Sequence, residues 1–306
     1  MGKNVKMAKT LSLILALALC LVTLAGCSDD KKKEKKKESN VKEETTDKET
    51  EYSDKEETEE KMPDAVIDLP VNDKIDFTDT EIGDIITFGR YEQDNDTSNG
   101  KEDIEWIVIG KEDGKLFLMS KYALDCKKYN EENKEVTWET CTLRTWLNDD
   151  FLNTAFTPKE QQYIATTEVK NEDNVYIYFK QEFKVPGGNN THDKIFLLSI
   201  NEAKSYFKEE LSDDGYAKVS RTRSCFPTEY AKAQGINTET IYNYSTDSWS
   251  MGCCKRYWLR SPGESNTQVS TITYIGKIDE DGSMGRNDVD TDNYGVRPVM
   301  WVNITS

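Results

Sequence analysis

The sequence predicts one α+β domain over residues 77–306, and three observations lead to this prediction. Apolar runs of β-type residues surround a short turn near the start of the region. Helical patterns with N-terminal capping residues occupy its middle, and strand patterns return at its end. This order, without a regular strand–helix alternation, is typical of an α+β fold and argues against a parallel doubly wound sheet.

Three apolar segments predict the first strands. Ile85–Gly89 is the first of them, and Ile104–Ile109 and Lys115–Met119 follow it. The last two flank Asp113-Gly114, and an Asp-Gly turn between β-type runs is a strong hairpin signal. The sequence therefore predicts an antiparallel hairpin here.

Short helices are predicted for the middle of the region. Apolar residues recur at helical spacing from Leu143 to Leu152 and place Trp146 on the inner face of an amphipathic helix. Thr157 and Glu160 form a capping-box pattern that predicts the start of another helix. Similar patterns predict a helix opened by the Ser199–Glu202 capping box, a helix over Pro227–Gln234, and strands over Val175–Phe179, Lys194–Leu198, Gln268–Ile275 and Val299–Val302.

Residues 1–26 predict a bacterial export signal. Lysines precede an apolar stretch, Leu11–Leu24, that is too short to span a bilayer comfortably in the mature chain. The following Leu24-Ala25-Gly26-Cys27 resembles the lipobox of bacterial lipoproteins, in which the cysteine is lipidated and the peptide before it is removed. The resemblance implies a lipid anchor on Cys27 and a location at the extracytoplasmic face of the cell membrane. The alternative is an ordinary signal peptide that contains a cysteine.

Residues 27–76 predict a disordered, charged tether after the lipidated cysteine. From Ser28 to Met62 the chain is dominated by Lys, Glu, Asp and Thr, a composition that buries too little apolar surface to offset the entropy of ordering. The whole chain has a formal net charge of −17, which argues against a nucleic-acid partner because phosphates require a basic face. The membrane, reached through the lipid, is the expected partner of this part of the chain.

Several motifs of the domain resemble a known family. Phe88–Tyr91, Leu143–Asn148, Tyr257–Gly263 and Gly295–Pro298 occur in the order found in uncharacterised bacterial surface domains of the family called domain of unknown function 6273. The resemblance covers Ile85 to Ile304. The family is in turn distantly similar to C-type-lectin-like folds and to formylglycine-generating enzymes. The resemblance implies a C-type-lectin-like domain with antiparallel hairpins, short helices and a role at the cell surface.

Arg260 and Arg297 recur in the two closing motifs of the domain. One interpretation is a pair of guanidinium groups presented to a ligand carboxylate or sulfate. The other is that they pair with buried acids or carbonyls and hold the C-terminal strands together, a frequent use of arginine.

Asp288, Asp290 and Asp292 alternate along one loop and offer the oxygen ligands that Ca²⁺ prefers. Their spacing is not that of an EF-hand loop. Asp94 and Asp96 form a second possible oxygen cluster. For both places the alternative is a solvated acidic loop, since the whole chain is acidic.

Aromatic residues are dense near the C-terminus and suggest a glycan site, because an aromatic ring has an apolar face that stacks on a sugar. We expect Trp249 and Tyr294 to be the surface candidates and Trp258 and Trp301 to lie in the core.

Three classes of function remain open at this point. The first is a binding module for a glycan or another surface protein, and the second is an exported enzyme, either an oxidase or a carbohydrate-active hydrolase. The third is a structural envelope protein whose partner is another protein. His192 is the only histidine, and no GxSxG, HExxH or P-loop motif occurs. A formylglycine-generating enzyme would require two cysteines a few residues apart, whereas Cys253 and Cys254 are adjacent. The sequence therefore favours binding over catalysis.

Overall fold

The computed structural model describes residues 75–207, 223–243, 248–274, 277–279 and 287–305. The predicted signal sequence, the lipidation site Cys27 and the tether up to residue 74 lie outside these ranges. Within the ranges, no helix combines the length and the apolar character needed to cross a bilayer.

The described residues form short helices and many strands, which confirms the α+β prediction. The strands are β1 (Ile85–Tyr91), β2 (Glu102–Glu112), β3 (Lys115–Ser120), β4 (Asp125–Cys126), β5 (Thr167–Val169), β6 (Asn174–Tyr178), β7 (Gln181–Val185), β8 (Thr191–Asp193), β9 (Thr238–Asn243), β10 (Ser248–Cys254), β11 (Arg256–Pro262), β12 (Val269–Thr273), β13 (Ile278–Asp279), β14 (Gly295–Val296) and β15 (Val299–Asn303). The α-helices are α1 (Thr142–Trp146), α2 (Leu152–Ala155), α3 (Ile200–Tyr206) and α4 (Glu229–Ala233), with a π-helix over Leu147–Phe151 and a 3₁₀ turn over Glu160–Gln162.

An antiparallel sheet in the order β1-β2-β3-β15 joins the start of the domain to its end. The predicted hairpin, β2–β3, lies at its centre. Asp113 and Gly114 in its turn have φ values of 50° and 72°. Two central residues with positive φ are what a type I′ turn requires, which explains the Asp-Gly signal.

A second sheet, in the order β13-β12-β11-β14-β4, brings the two closing motifs together. β11 carries the Tyr257–Pro262 motif, and β14 starts the Gly295–Pro298 motif. The two strands run parallel and pair at Tyr257 and Gly295. This pairing brings Arg260 of β11 and Arg297, which directly follows β14, to the same sheet.

Residues 142–155 form a continuous helical stretch with a π-helical turn between α1 and α2. Leu143, Leu147, Phe151 and Leu152 are buried, as their helical spacing predicts. Trp146 is partly buried and packs against the core, so its expected place on the inner face is confirmed in part. The π-helix has no signal in the sequence.

The segment Lys194–Leu198 is not a strand, contrary to the prediction. Only Phe196 makes an isolated bridge, to Val299 of β15. The Asn148 side-chain oxygen accepts the backbone N–H groups of Lys194 and Ile195 at 2.9 and 3.2 Å. A side chain therefore takes the place that a neighbouring strand would occupy.

The three predicted helix starts have different outcomes. Ser199 forms a complete capping box with Glu202 and opens α3, and Thr228 caps α4. Thr157 also accepts the backbone N–H of Glu160, at 3.3 Å, but only a 3₁₀ turn follows. The chain leaves this turn because the Ala165 N–H bonds to the carbonyl of Trp301 at 2.8 Å.

The Phe88–Tyr91 motif is explained by packing at a β-bulge in β1. The Trp106 indole N–H donates to the Phe88 carbonyl at 2.7 Å. Gly89 has a φ of 72°, and a Cβ atom there would lie 2.4 Å from the Phe156 ring. Only glycine fits this position, because it combines a left-handed backbone with a closely packed aromatic side chain.

Candidate functional site

The helical stretch and the segment after β4 border an open surface pocket of about 310 Å³, which we call the Trp146 pocket. Its lining residues are Lys127, Lys128, Glu131, Thr142, Leu143, Thr145, Trp146 and Asp150. Thr142, Trp146 and Asp150 follow each other at the spacing that places side chains on one helix face. The π-helix begins directly after Trp146, and π-turns inside helices occur frequently at functional sites.

Trp146 forms the aromatic wall of the pocket. The Lys127 ammonium lies 4.7 Å from the centroid of the indole ring. The buried Phe151 ring contacts Trp146, with ring centroids 5.3 Å apart. A partly exposed indole fixed by a buried neighbour presents apolar surface to a ligand without first having to become ordered.

A buried carboxylate lies next to the pocket. Asp125 in β4 accepts the Tyr91 hydroxyl at 2.6 Å and the Cys126 N–H at 2.7 Å. Its Oδ2 is 3.8 Å from the Lys127 ammonium. Burial raises the pKa of Asp125, while the Tyr91 hydrogen bond and the charge of Lys127 oppose that rise. Asp125 therefore holds Lys127 over Trp146 by an attraction that depends on its own ionisation.

The remaining lining groups are polar and carry both signs of charge. The Lys128 ammonium lies 3.9 Å from the Glu131 carboxylate, and both side chains remain partly exposed. The hydroxyl of Thr142 accepts the Glu131 N–H at 3.1 Å, which fixes the rim. The lining thus offers hydroxyl, ammonium and carboxylate groups beside the Trp146 indole.

A second cavity, of about 840 Å³, lies between β1 and residues 153–160. Its polar side chains already bind one another or the backbone. Arg90 pairs with Asp103 at 2.8 Å, and the Lys101 ammonium donates to the Thr154 carbonyl at 2.7 Å. The Trp146 pocket is the better candidate for a ligand, because a partly exposed indole lines it.

Comparison with known proteins places the chain in a family. Residues 113–304 match the family described as domain of unknown function DUF6273. The chain belongs to the DUF6273 family. No curated protein and no solved structure matches it. The DUF6273 match contains every lining residue of the Trp146 pocket but assigns no ligand or reaction to it.

Within the DUF6273 region, Arg260 is buried and bound to protein groups. Its guanidinium forms a two-point ion pair with Glu202, one contact of which measures 2.8 Å. It also donates to the carbonyls of Leu197 at 2.6 Å and Lys170 at 3.0 Å. These contacts tie β11 to the N-terminus of α3, as the structural interpretation of this arginine requires.

Arg297 is also buried, and it donates to the Ser120 carbonyl at 2.9 Å and the Arg223 carbonyl at 3.2 Å. Its guanidinium lies 5.3 Å from the Tyr257 ring centroid. Arg297 thus joins the segment after β14 to β11 and to the end of β3.

Of the aromatic residues singled out in the sequence, Trp258, Tyr294 and Trp301 are not lining residues of the Trp146 pocket, although the Trp258 indole N–H donates to the carbonyl of the lining residue Lys127 at 2.9 Å. Tyr294, expected at the surface, is buried against Trp258 with ring centroids 4.7 Å apart. Trp258 lies in the core as predicted, whereas Trp301 is partly buried and stacks on Phe117. Trp249 lies in β10, and its side chain is outside the described part.

Asp288, Asp290 and Asp292 do not converge. Asp288 accepts the Gln268 amide at 3.3 Å, and Asp290 accepts the Asn133 amide at 3.0 Å. Among the described residues, the acids whose oxygens come within 4.8 Å of one another as a set of three are Glu92, Asp94 and Glu102. Sequence analysis thus pointed to Asp94 without its two glutamate neighbours.

The five described cysteines are buried and form no disulfide. Burial raises the pKa of Cys253 to about 11, so this thiol stays protonated. Cys254 contacts Cys225 rather than bonding to its neighbour in the chain: its N–H donates to the Cys225 carbonyl at 2.7 Å. The vicinal pair is therefore part of the core.

Sequence reasoning missed the Trp146 pocket because it assigned Trp146 to the core. A signal was present in the polar residues Thr142, Thr145 and Asp150, which surround Trp146 on a helical projection. Lys127 and Lys128 gave no such signal, since only the fold brings them to the helix.

Proposed function

We propose that this DUF6273 domain is a carbohydrate-binding module and that the Trp146 pocket is its binding site. The observation that carries the proposal is the partly exposed Trp146 indole, which lines the pocket and is contacted by Lys127 and by the buried Phe151 ring. Sugar rings offer C–H faces that stack on aromatic rings and hydroxyls that bond to polar side chains. The threonines, lysines and acids of the lining supply the second kind of contact.

The size and charge of the pocket narrow the ligand. A volume of about 310 Å³ is near the lower end of the range for small-molecule sites and suits one or two sugar rings. The lining includes two ammonium groups, Lys127 and Lys128, which favour a sugar that carries a carboxylate because they are positively charged hydrogen-bond donors. Glu131 and Asp150 complement this by accepting hydrogen bonds from sugar hydroxyls.

The proposal includes the location of the module. The lipobox-like Cys27 and the charged residues 27–76 support a lipoprotein anchored at the extracytoplasmic face of the membrane, with the domain on a flexible tether. The pairing of the Tyr257–Pro262 motif with the Gly295–Pro298 motif in one sheet, together with the α+β architecture, supports a C-type-lectin-like arrangement. Cell-wall glycans are the sugars within reach of such a tether.

A glycan array and pull-down with cell-wall fragments test the proposal. The wild-type chain should bind a defined set of glycans, and Trp146→Ala should lose at least about tenfold in affinity, since truncating an aromatic anchor of a binding site costs ~2 kcal/mol or more. Phe226→Ala is the control, because Phe226 is 41% exposed and lies outside the lining.

Two outcomes would overturn it. Equal glycan binding by wild type and Trp146→Ala would remove the pocket from the interaction. Cleavage of a bound glycan by the wild type, abolished by Glu131→Gln or Asp150→Asn, would replace the binding module with a hydrolase.

A further inference from the structure

The loop between β1 and β2 gathers three acidic side chains. Glu92 directly follows β1, and Glu102 is the first residue of β2. The pairing of Tyr91 with Glu102 sets these two acids beside each other at the mouth of the loop. Asp94 completes the set, and one carboxylate oxygen of each residue lies within 4.8 Å of the others. This cluster lies outside residues 113–304, so the family match does not account for it.

One side-chain oxygen of the buried Glu92 lacks a hydrogen-bond partner. Only 8% of this residue is exposed, and its Oε1 is buried without a hydrogen-bond partner. A buried carboxylate oxygen left without a donor is strongly disfavoured, because it has lost its water and gained nothing in return. The basic residues nearest in sequence are directed elsewhere: Arg90 to Asp103 and Lys101 to the Thr154 carbonyl.

The three like charges of the cluster also disfavour the site without a bound cation. Carboxylate oxygens within 4.8 Å of one another repel when all three groups are ionised. A bound cation would relieve this repulsion at neutral pH and would also supply the missing partner of Oε1.

We propose that Glu92, Asp94 and Glu102 bind one Ca²⁺ ion. Three carboxylates are hard oxygen ligands, the type that Ca²⁺ prefers over the soft ligands chosen by copper or zinc. Water and backbone carbonyls would complete the six to eight oxygens that Ca²⁺ takes. The site is separate from the Trp146 pocket and does not rest on the proposed glycan binding.

The surrounding hydrogen bonds hold the ligands ready. Glu102 accepts the Gln93 N–H at 2.7 Å, and Asp94 accepts the Asp96 N–H and the Asn99 amide, both at 2.8 Å. Each carboxylate oxygen keeps a lone pair for a cation after these bonds. Such bonds fix the direction of a metal ligand and raise its affinity.

The loop is also tied to the rest of the domain. The Gln93 carbonyl accepts the Tyr230 N–H of α4 at 2.9 Å. Cation binding to the native loop should therefore stabilise the domain, because a ligand that binds only the folded state shifts the folding equilibrium.

Calorimetric titration of the full-length protein, kept in detergent and freed of metal with a chelator, tests the proposal with CaCl₂ as the probe. One Ca²⁺ should bind per chain, with a Kd in the ~10⁻⁴–10⁻³ M range of extracellular calcium modules or below it. The melting temperature should rise with added Ca²⁺. Absence of binding up to about 10 mM CaCl₂ would overturn the proposal.

Variants locate the site. Glu92→Gln and Glu102→Gln should each weaken Ca²⁺ binding at least about tenfold. In chelator, Glu92→Gln should melt at or above the wild-type temperature, since it removes like-charge repulsion, and Ca²⁺ should no longer raise it. Asp290→Asn is the control and should bind as the wild type does. Ca²⁺ binding that is lost in Asp290→Asn and kept in both glutamate variants would overturn the assignment.

Discussion

At the scale of single residues, the two motif arginines show what a sequence leaves open. Residue type and neighbouring glycine and proline residues fit both a ligand-binding and a structural arginine. The contacts in the structure support the structural interpretation of both arginines. Arg260 binds Glu202 and two backbone carbonyls, and Arg297 binds backbone carbonyls and contacts the Tyr257 ring. No sequence pattern could supply these partners, because they lie far from both arginines along the chain.

Arg260→Met should lower the free energy of unfolding by about 3 kcal/mol, since it leaves Glu202 and two carbonyls without their charged donor. Lys134→Ala is the control for an exposed pair, with Glu132 2.9 Å away, and should change stability by about 1 kcal/mol or less. Urea unfolding followed by circular dichroism measures both. A stable Arg260→Met chain with weakened glycan binding would assign this arginine to a ligand instead.

Asp125 makes the stability of the domain depend on pH. Burial raises its folded-state pKa above the unfolded value of about 3.9. The carboxyl therefore favours the folded state while it is protonated at low pH, and this contribution is lost as the pH rises through the folded-state pKa. In Asp125→Asn, which cannot ionise, that loss is absent.

Unfolding free energies of wild type and Asp125→Asn, measured by urea titration from acidic to neutral pH, test this sign. The stability of the variant relative to the wild type should increase as the pH rises. Tyr91→Phe removes a hydrogen bond that lowers the pKa of Asp125, so it should shift the wild-type transition to higher pH. A relative stability that falls with pH would mean that Tyr91 and Lys127 outweigh burial.

At the scale of elements, local signals predicted what local forces determine. The β2–β3 hairpin follows from its Asp-Gly turn, and α3 follows from its Ser199 capping box. Lys194–Leu198 has an equally strong strand pattern, but the Asn148 side chain occupies its backbone donors. The π-turn after Trp146 is likewise a tertiary outcome, and it accompanies the pocket that the sequence did not reveal.

Gly89 and Gly114 both have a φ of 72°, but only Gly89 is closely packed. Substituting each by alanine therefore distinguishes the cost of backbone strain from the cost of a packing clash. Gly114→Ala places a Cβ in open space and should cost only the left-handed strain, ~1–2 kcal/mol. Gly89→Ala should cost ~1–3 kcal/mol more, because its Cβ would lie 2.4 Å from Phe156. Thermal and urea unfolding of the two variants should show this difference. Equal losses would mean that the Phe156 ring moves aside freely.

At the scale of the whole molecule, the sequence predicted the architecture better than the site. The α+β class, the early hairpin and the closing strands come from patterns within each segment. The Trp146 pocket comes from the approach of Lys127 and Lys128 to a distant helix, and the Glu92 cluster comes from the register of β1 with β2. Contacts of this kind depend on the assembled fold, so residue types and spacing alone did not identify them.

The measurement that tests the proposed glycan site most directly is a ¹⁵N spectrum of the indole groups during titration with the glycan selected on the array. The chain has six tryptophans, hence six indole signals, and Trp146→Phe identifies the signal of interest by its loss. A glycan site at Trp146 predicts that this signal shifts in a saturable manner while those of Trp106 and Trp138, which are buried, stay in place. Saturable shifts at Trp249 with an unchanged Trp146 signal would contradict it.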